Sequence, residues 1–432
     1  MRHAVIVVVA LLLVAGCGAP ARSVPSQAAT ASASGSSAAV EAARSDLGRL
    51  LRELEAIHPE PFHGIPRGQW VSELEALSDR LDQLSPEQAE VALMRLVALL
   101  SREGRDGHQF ALPVDGAQGP VLLLRIYEFA EGVFVTDALA PYRDLVGAQV
   151  LAIGDHPMAE VLAALEPLVP RDGPATVPGF RPAFLLRTDV LRGLDLIGEG
   201  AASLTVRMPD GSEASPSVEP VAWEQWLAWG GDFGMLRLPW REGLDYLDVD
   251  EPFAFAYLPA ARALYVRYSA VQRVDPGAVA AMAERAAADD VERVVVDLRQ
   301  NPGGDNHNYP PLLDALAASP AAANGRLFVL TDRVTFSAAA NFATELEGDL
   351  RARFVGEPMG GGLNFWDDVD WVELPDYPVP MQVGVSTRYW QMAEPDDPRL
   401  TIEPEIAVEA RAADYFAGRD PALDAALSAG DS

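Results

Sequence analysis

Apolar residues recur at helical spacing over residues 40–102, as in Leu47, Leu50, Leu51 and Leu54, and again in Val91, Leu93, Met94, Val97 and Leu100. Breaks at His58-Pro59, Pro61, Gly64 and Ser85-Pro86 divide this stretch into about three helices, a small helical cap. The pattern changes after Pro120. Short apolar runs over 121–126, 132–135, 149–153 and 203–208, separated by turns, predict strands, and one helix over 158–168 interrupts them. From Phe253 onward, strands at 263–268, 291–298 and 327–331 alternate with helices at 276–288, 311–318 and 337–346. That alternation predicts a mainly parallel sheet with crossover helices, an α/β core. Residues 369–374 and 381–386 add strands, and a helix over 414–427 closes the chain. With 432 residues, 49% of them hydrophobic, the protein can bury a core large enough for two or three domains.

The N-terminus has a different character. Arg2 and His3 precede an apolar run over 4–15 that is shorter than the roughly 20 residues needed to span a bilayer and has the proportions of a signal-peptide core. Residues 1–16 are therefore expected to be removed. The run ends in Val14-Ala-Gly-Cys17, which resembles a bacterial lipobox, and Cys17 is the single cysteine of the chain. A lone thiol has no intramolecular disulfide partner, so lipidation of Cys17 is expected, with anchoring on the outer side of a bacterial membrane. Residues 17–43, rich in Ala, Ser and Gly, read as a flexible tether.

The formal net charge of −30 argues against nucleic-acid partners, which need basic patches. It fits a solvated acidic surface. All 33 basic residues are arginine, so any catalytic base must be something other than lysine.

Candidate chemistry concentrates in three segments. In Leu330-Thr-Asp-Arg-Val-Thr-Phe-Ser337-Ala-Ala-Ala-Asn341 a serine stands between an apolar strand and the first turn of a helix. There its hydroxyl protrudes beside backbone N–H groups, that of Ala338 foremost, which lack intrahelical partners, an arrangement suited to acyl transfer. Ser386 and Thr335 are competitors without such donors. In Val294-Val-Val-Asp-Leu-Arg-Gln-Asn301-Pro-Gly-Gly304 a buried strand runs into a glycine turn, making Gly303 and Gly304 candidates for a second oxyanion donor. Asp297 and Arg299 read as stabilisers of that strand end. The third segment is Phe354-Val-Gly-Glu-Pro-Met-Gly-Gly361.

Together these segments resemble the core of the S41 serine peptidases, the C-terminal-processing or tail-specific protease family, with Met359 in place of the usual threonine. The resemblance implies a ClpP/crotonase-like protease core over 253–432, preceded by the helical cap with a histidine loop (44–118), a PDZ-like module (119–216) and a connecting segment (217–252). The segment Leu145-Val-Gly-Ala-Gln-Val-Leu-Ala-Ile-Gly154 looks like part of such a PDZ domain, although the carboxylate-binding loop is not evident and residues 170–198 form an atypical insert. Many family members are believed to use a Ser-Lys dyad, but the corresponding region here offers only Gly360, Gly361 and Gly362.

Without lysine, histidine is the matching base for a serine hydroxyl near neutral pH. His3 leaves with the signal, His58 and His63 flank prolines in the cap and read as structural, and His156 sits in a turn. His307 follows the glycine turn. Asp106-Gly107-His108 resembles the Asp-Gly-His motif of the tricorn-like branch of the family, which implies that His108 pairs with Ser337. In that branch a glutamate follows the serine and precedes a final Pro-Asp motif, resembled here by Ile402-Glu-Pro404-Glu405-Ile. Glu394 is the expected orienting carboxylate, with Asp396 and Asp397 close by. The sequence shows no metal, dinucleotide or P-loop signature, Asp305 to His307 being too small a cluster, so catalysis is expected to be cofactor-free. The reading is a serine endopeptidase acting on envelope or extracellular polypeptides through an acyl-enzyme. The alternative is an inactive relative that binds peptides or an apolar ligand.

The lipobox reading is directly testable, because a thioether can form only at the Cys17 sulfur. Cys17→Ser is expected to abolish incorporation of a metabolically supplied fatty-acid analogue, and unchanged incorporation would refute the assignment.

Overall fold

A computed structural model of the chain describes residues 33–229, 235–239, 244 and 251–430. The signal segment and Cys17 lie outside the described residues. No helix among the described residues is long and apolar enough to cross a membrane.

Three helices, Ala33–Ile57, Arg67–Arg80 and Pro86–Ala98, make up the N-terminal part. The first begins well before the expected end of the tether at 43. Alanine-rich sequence has high helix propensity, and Ala43, Leu47, Leu50 and Leu54 bury one stripe of it. The third starts at a capping box in which Ser85 and Gln88 satisfy each other's backbone N–H groups, with Pro86 in the first turn. Trp70, fully buried, ties the second helix to the third by donating its indole N–H to the Leu96 carbonyl at 2.9 Å.

An antiparallel sheet follows, in the order Leu124–Phe129, Gly132–Ala138, Gln149–Ile153, Ala202–Arg207 and Glu213–Ala214. Helix Met158–Leu165 and the helices Thr176–Leu185 and Thr188–Gly193 of the expected insert complete this region. A buried ion cluster fastens the insert to the helical cap: Arg187 pairs with Asp189 at 2.6 Å and also with Glu90.

The α/β core has six strands in the order Phe253–Leu258, Ala263–Tyr268, Arg293–Asp297, Leu327–Thr331, Arg353–Gly356 and Ile406–Ala407. The first pair is antiparallel and every later pair parallel. Both faces of the central strands are covered, which is why they read as largely apolar runs with charged residues near their ends. Leu264, Val266, Val294, Val296 and Val329 face the helices Pro276–Ala286, Pro310–Ala317 and Ala338–Gly348, while Tyr265, Val295, Phe328 and Val355 face the C-terminal helix Pro421–Ser428. Arg299 grips Asp297 at 2.7 Å and Asp420 at 2.8 Å, joining the end of a central strand to the residue that caps that last helix.

The strands at the expected positions 369–374 and 381–386 are present but longer and elsewhere. Asn364–Leu374 and Met381–Gln391 form a hairpin that pairs with Ala111–Pro113 in a separate sheet. Val372, Leu374, Met381, Val383 and Val385 join the apolar core of the N-terminal helices and antiparallel sheet. The hairpin therefore straps the first half of the chain across the second.

Glycines allow the turn after Arg353–Gly356 to lie directly on the start of helix Ala338–Gly348. A Cβ on Gly361 would sit 2.5 Å from that of Ala340 and 3.2 Å from the Ser337 nitrogen, so no lysine fits there. Gly361→Ala is expected to destabilise the fold by about 1–3 kcal/mol through overpacking. A urea-unfolding midpoint equal to wild type would contradict this contact.

Candidate active site

Ser337 stands between strand Leu327–Thr331 and helix Ala338–Gly348 with φ 54° and ψ −130°. For a residue with a side chain this conformation costs on the order of 1–3 kcal/mol and persists only where its surroundings dictate it. They do so here. The Asp332 carboxylate accepts the N–H groups of Gln300 and Val334, Thr335 Oγ1 donates to the Leu298 carbonyl, and Phe336 N–H donates to the Asn301 carbonyl. Burial pushes the Asp332 carboxyl above its usual range despite these donors. The turn is thus laced to the neighbouring strand end, and the serine side chain is turned out of the helix.

The glycine turn lies against it. A Cβ on Gly303 would fall 2.5 Å from that of Ser337, and both Gly303 (φ 108°) and Gly304 (φ 143°) occupy backbone conformations that favour glycine. Gly303 N–H donates to Asn301 Oδ1 at 2.9 Å, so this expected oxyanion donor is already engaged. Among the described residues neither Ala338 N–H nor Gly304 N–H donates to a protein acceptor. Ala338 N–H is therefore an available donor next to Ser337, and Gly304 N–H, one residue beyond Gly303 in the glycine turn, is uncommitted as well.

His108 arrives from the loop after the helical cap and is buried, its ring stacked between Phe336 (centroids 4.6 Å) and Phe365 (5.5 Å). Its Nε2 lies 3.4 Å from Asp367 Oδ2, without the alignment of a hydrogen bond. Ser337 Oγ donates to that same oxygen at 3.2 Å. One carboxylate therefore brings the two sequence-predicted residues together, within two contact lengths of each other.

Asp367 was not foreseen. A signal was available: consecutive aspartates, Asp367 and Asp368, follow Phe365 and Trp366 within a strand, where aspartate is disfavoured. Asp368 adopts φ 56° and has no register partner, so the strand kinks where the carboxylate meets the serine. Glu394, the expected orienting acid, does not take that place. It is exposed on the loop after the hairpin, where its backbone carbonyl accepts from Asn364 Nδ2 at 3.1 Å and its carboxylate meets no residue of the site. Asp396 is exposed too, and Asp397 is held by Arg399 at 2.8 Å. His307, with its side chain 85% exposed, pairs with Asp305 outside the site.

A second unforeseen carboxylate lies behind the histidine. Asp172, from the insert, is wholly buried and accepts Gly107 N–H at 2.6 Å and Gly362 N–H at 3.1 Å. It thereby joins the loop of His108 to the glycine turn packed on the serine helix. Burial pushes its carboxyl up to about 6, partly offset by the nearby His108 and by the two backbone donors. On the far side of the loop, His58, His63 and Asp106 bring three potential metal-ligand atoms within 4.8 Å of one another, a cluster that sequence spacing concealed.

No family model matches the sequence, and no curated protein is significantly similar to it. Among solved structures, mature CPAF complexed with lactacystin is similar with a TM-score of 0.57 at 14% identity, over 90% of this chain and 98% of that one. A point mutant of CPAF gives 0.58 at 14% identity over 90% and 97%. The photosystem II D1 C-terminal processing protease gives 0.40 at 16% identity over 85% and 92%. The chain has the fold of CPAF.

The raised Asp172 carboxyl favours folding in its protonated form, so its contribution is full below about pH 4 and declines as pH rises through about 6. The stability difference between wild type and Asp172→Asn is expected to fall by about 3 kcal/mol across that window. A difference that stays flat from pH 4 to 7 in urea titrations would contradict the assignment.

Proposed function

We propose that the protein is a serine peptidase of the S41 type, cleaving polypeptides through an acyl-enzyme, with Ser337 as nucleophile and His108 as general base. The observation that carries the reading is the backbone of Ser337. A left-handed serine held at a strand-to-helix junction, with the uncommitted Ala338 N–H next to it and that of Gly304 in the glycine turn packed on it, is a costly arrangement that a mere binding protein has no use for. The fold shared with CPAF supports it.

In this mechanism Ser337 Oγ attacks the scissile carbonyl while Ala338 N–H and Gly304 N–H receive the developing oxyanion. His108 takes the hydroxyl proton and returns it to the leaving amine. Imidazole is in general a better base for a serine hydroxyl than a carboxylate. Asp367 touches both partners, stabilises the imidazolium and holds the pair in register, the part expected of Glu394. A second reading follows from the 3.2 Å contact between Ser337 and Asp367, in which that carboxylate is itself the immediate base. The substrates proposed are envelope or extracellular polypeptides, reached from a lipid anchor at Cys17.

Purified Ser337→Ala is expected to lose about 10⁴-fold or more in turnover of a peptide substrate, and His108→Ala nearly as much, with little further loss in the double mutant because the two act as a unit. Substitution separates the two readings: a His108→Ala loss far larger than that of Asp367→Asn supports His108 as the base, and the reverse order assigns the base to Asp367. Near wild-type turnover in Ser337→Ala would remove the serine from the mechanism altogether.

A further inference from the structure

Two residues before His108, Asp106 is completely buried and surrounded by donors from three separate parts of the chain. Oδ2 faces His58 Nε2 at 3.1 Å and His63 Nε2 at 3.3 Å, both from the turn that ends helix Ala33–Ile57. The same oxygen accepts from the amide of Gln109 in its own loop, and Oδ1 accepts from Ser386 Oγ of the hairpin at 2.7 Å. The indole of Trp366, one residue before Asp367, packs on the His58 ring with centroids 4.5 Å apart, and its backbone N–H donates to the Arg105 carbonyl. The segments carrying His108 and Asp367 are therefore fastened at one buried point.

Two histidines and an aspartate at these separations have the composition of a divalent-metal site. The hydrogen bonding of His58 argues against it. Glu60 N–H donates to His58 Nδ1 at 2.9 Å, so Nδ1 supplies its lone pair and the ring proton of the neutral imidazole resides on Nε2. That nitrogen donates to Asp106 and has no lone pair for a cation. A metal-ligating histidine has the opposite arrangement, its second nitrogen donating to an acceptor.

We propose that Asp106 and His58 form a hydrogen-bonded clamp that positions His108 against Ser337 and Asp367, with His58 fixed as the Nε2–H tautomer and no metal involved. Asp106 and His58 are positioning residues and touch no substrate. The proposal rests on the catalytic reading of His108, but the clamp itself can be observed without turnover. Its carboxyl is suited to the part: burial works to raise it, yet the hydrogen bonds from His58 and His63 hold it below the usual range, so it stays ionised.

Two substitutions separate the halves of the clamp. His58→Gln places an amide donor where Nε2 stood, within reach of Asp106, whereas His58→Asn offers an acceptor to Glu60 N–H but its own donor is one methylene too short to reach Asp106. In full-length protein the glutamine variant is expected to keep turnover within a few-fold of wild type. The asparagine variant is expected to lose on the order of 10²-fold in kcat with KM little changed, the scale of a misplaced catalytic group. Ring nitrogen NMR of histidine-labelled protein supplies the readout independent of activity. It should show His58 protonated at Nε2 alone, unaltered by added Zn²⁺, and His108 signals displaced in the asparagine variant but not in the glutamine one. Equal loss in both variants, Zn²⁺-dependent shifts of His58 and His63, or His108 signals unmoved in the asparagine variant would overturn the proposal. If Ser337→Ala leaves turnover intact, the catalytic reading fails, while the NMR result still decides whether the clamp exists.

Discussion

The backbone of Ser337 is the constraint around which the site is organised. Its left-handed conformation is unfavourable in isolation, and it is held by bonds from Asp332, Thr335 and Asn301 that tie the turn to the adjacent strand end. Those residues sit where two parallel strands end side by side. The same crowding demands glycine at 303 and 361, since side chains there would collide with Ser337 or with the first turn of its helix. Strain at one residue thus dictates the sequence of two neighbouring loops.

The histidine reaches this point through a second set of constraints, supplied largely by the other half of the chain. Asp106 fastens its loop to the helical cap and the hairpin, and Asp172 fastens it to the insert and to the turn behind the serine. Phe336 and Phe365 close on the ring from either side. Buried carboxylates that accept several N–H groups are rigid joints, because each lost bond would leave a desolvated polar atom unpaired. The site is consequently a property of the whole fold.

Legibility in the sequence followed the range of the interactions. The strands Ala263–Tyr268 and Leu327–Thr331 could be read to the residue because a strand buried on both faces leaves a nearly continuous apolar run, interrupted in the first only by Arg267. Ser337, the glycine turn and His108 could be singled out as candidates because motif and local geometry coincide there, and the structure places them near one another. The allegiance of the hairpin was not, since alternation marks a strand without saying which sheet it joins. Asp367 was hidden because its contact with Ser337 accompanies a kink at Asp368, and the cluster at Asp106 because His63, His58 and Ser386 lie 43, 48 and 280 residues from that aspartate in sequence. Glu394 was favoured by its distance from the serine along the chain, which does not report that the loop carrying it points into solvent.

The central claim is that Ser337 is an activated nucleophile and not simply the first residue of a helix, and covalent trapping tests it most directly. After incubation of the purified full-length protein with a fluorophosphonate, peptide mapping by mass spectrometry should find a single stoichiometric adduct on Ser337. An unmodified Ser337, or an adduct confined to Ser386 or another hydroxyl, would contradict the account.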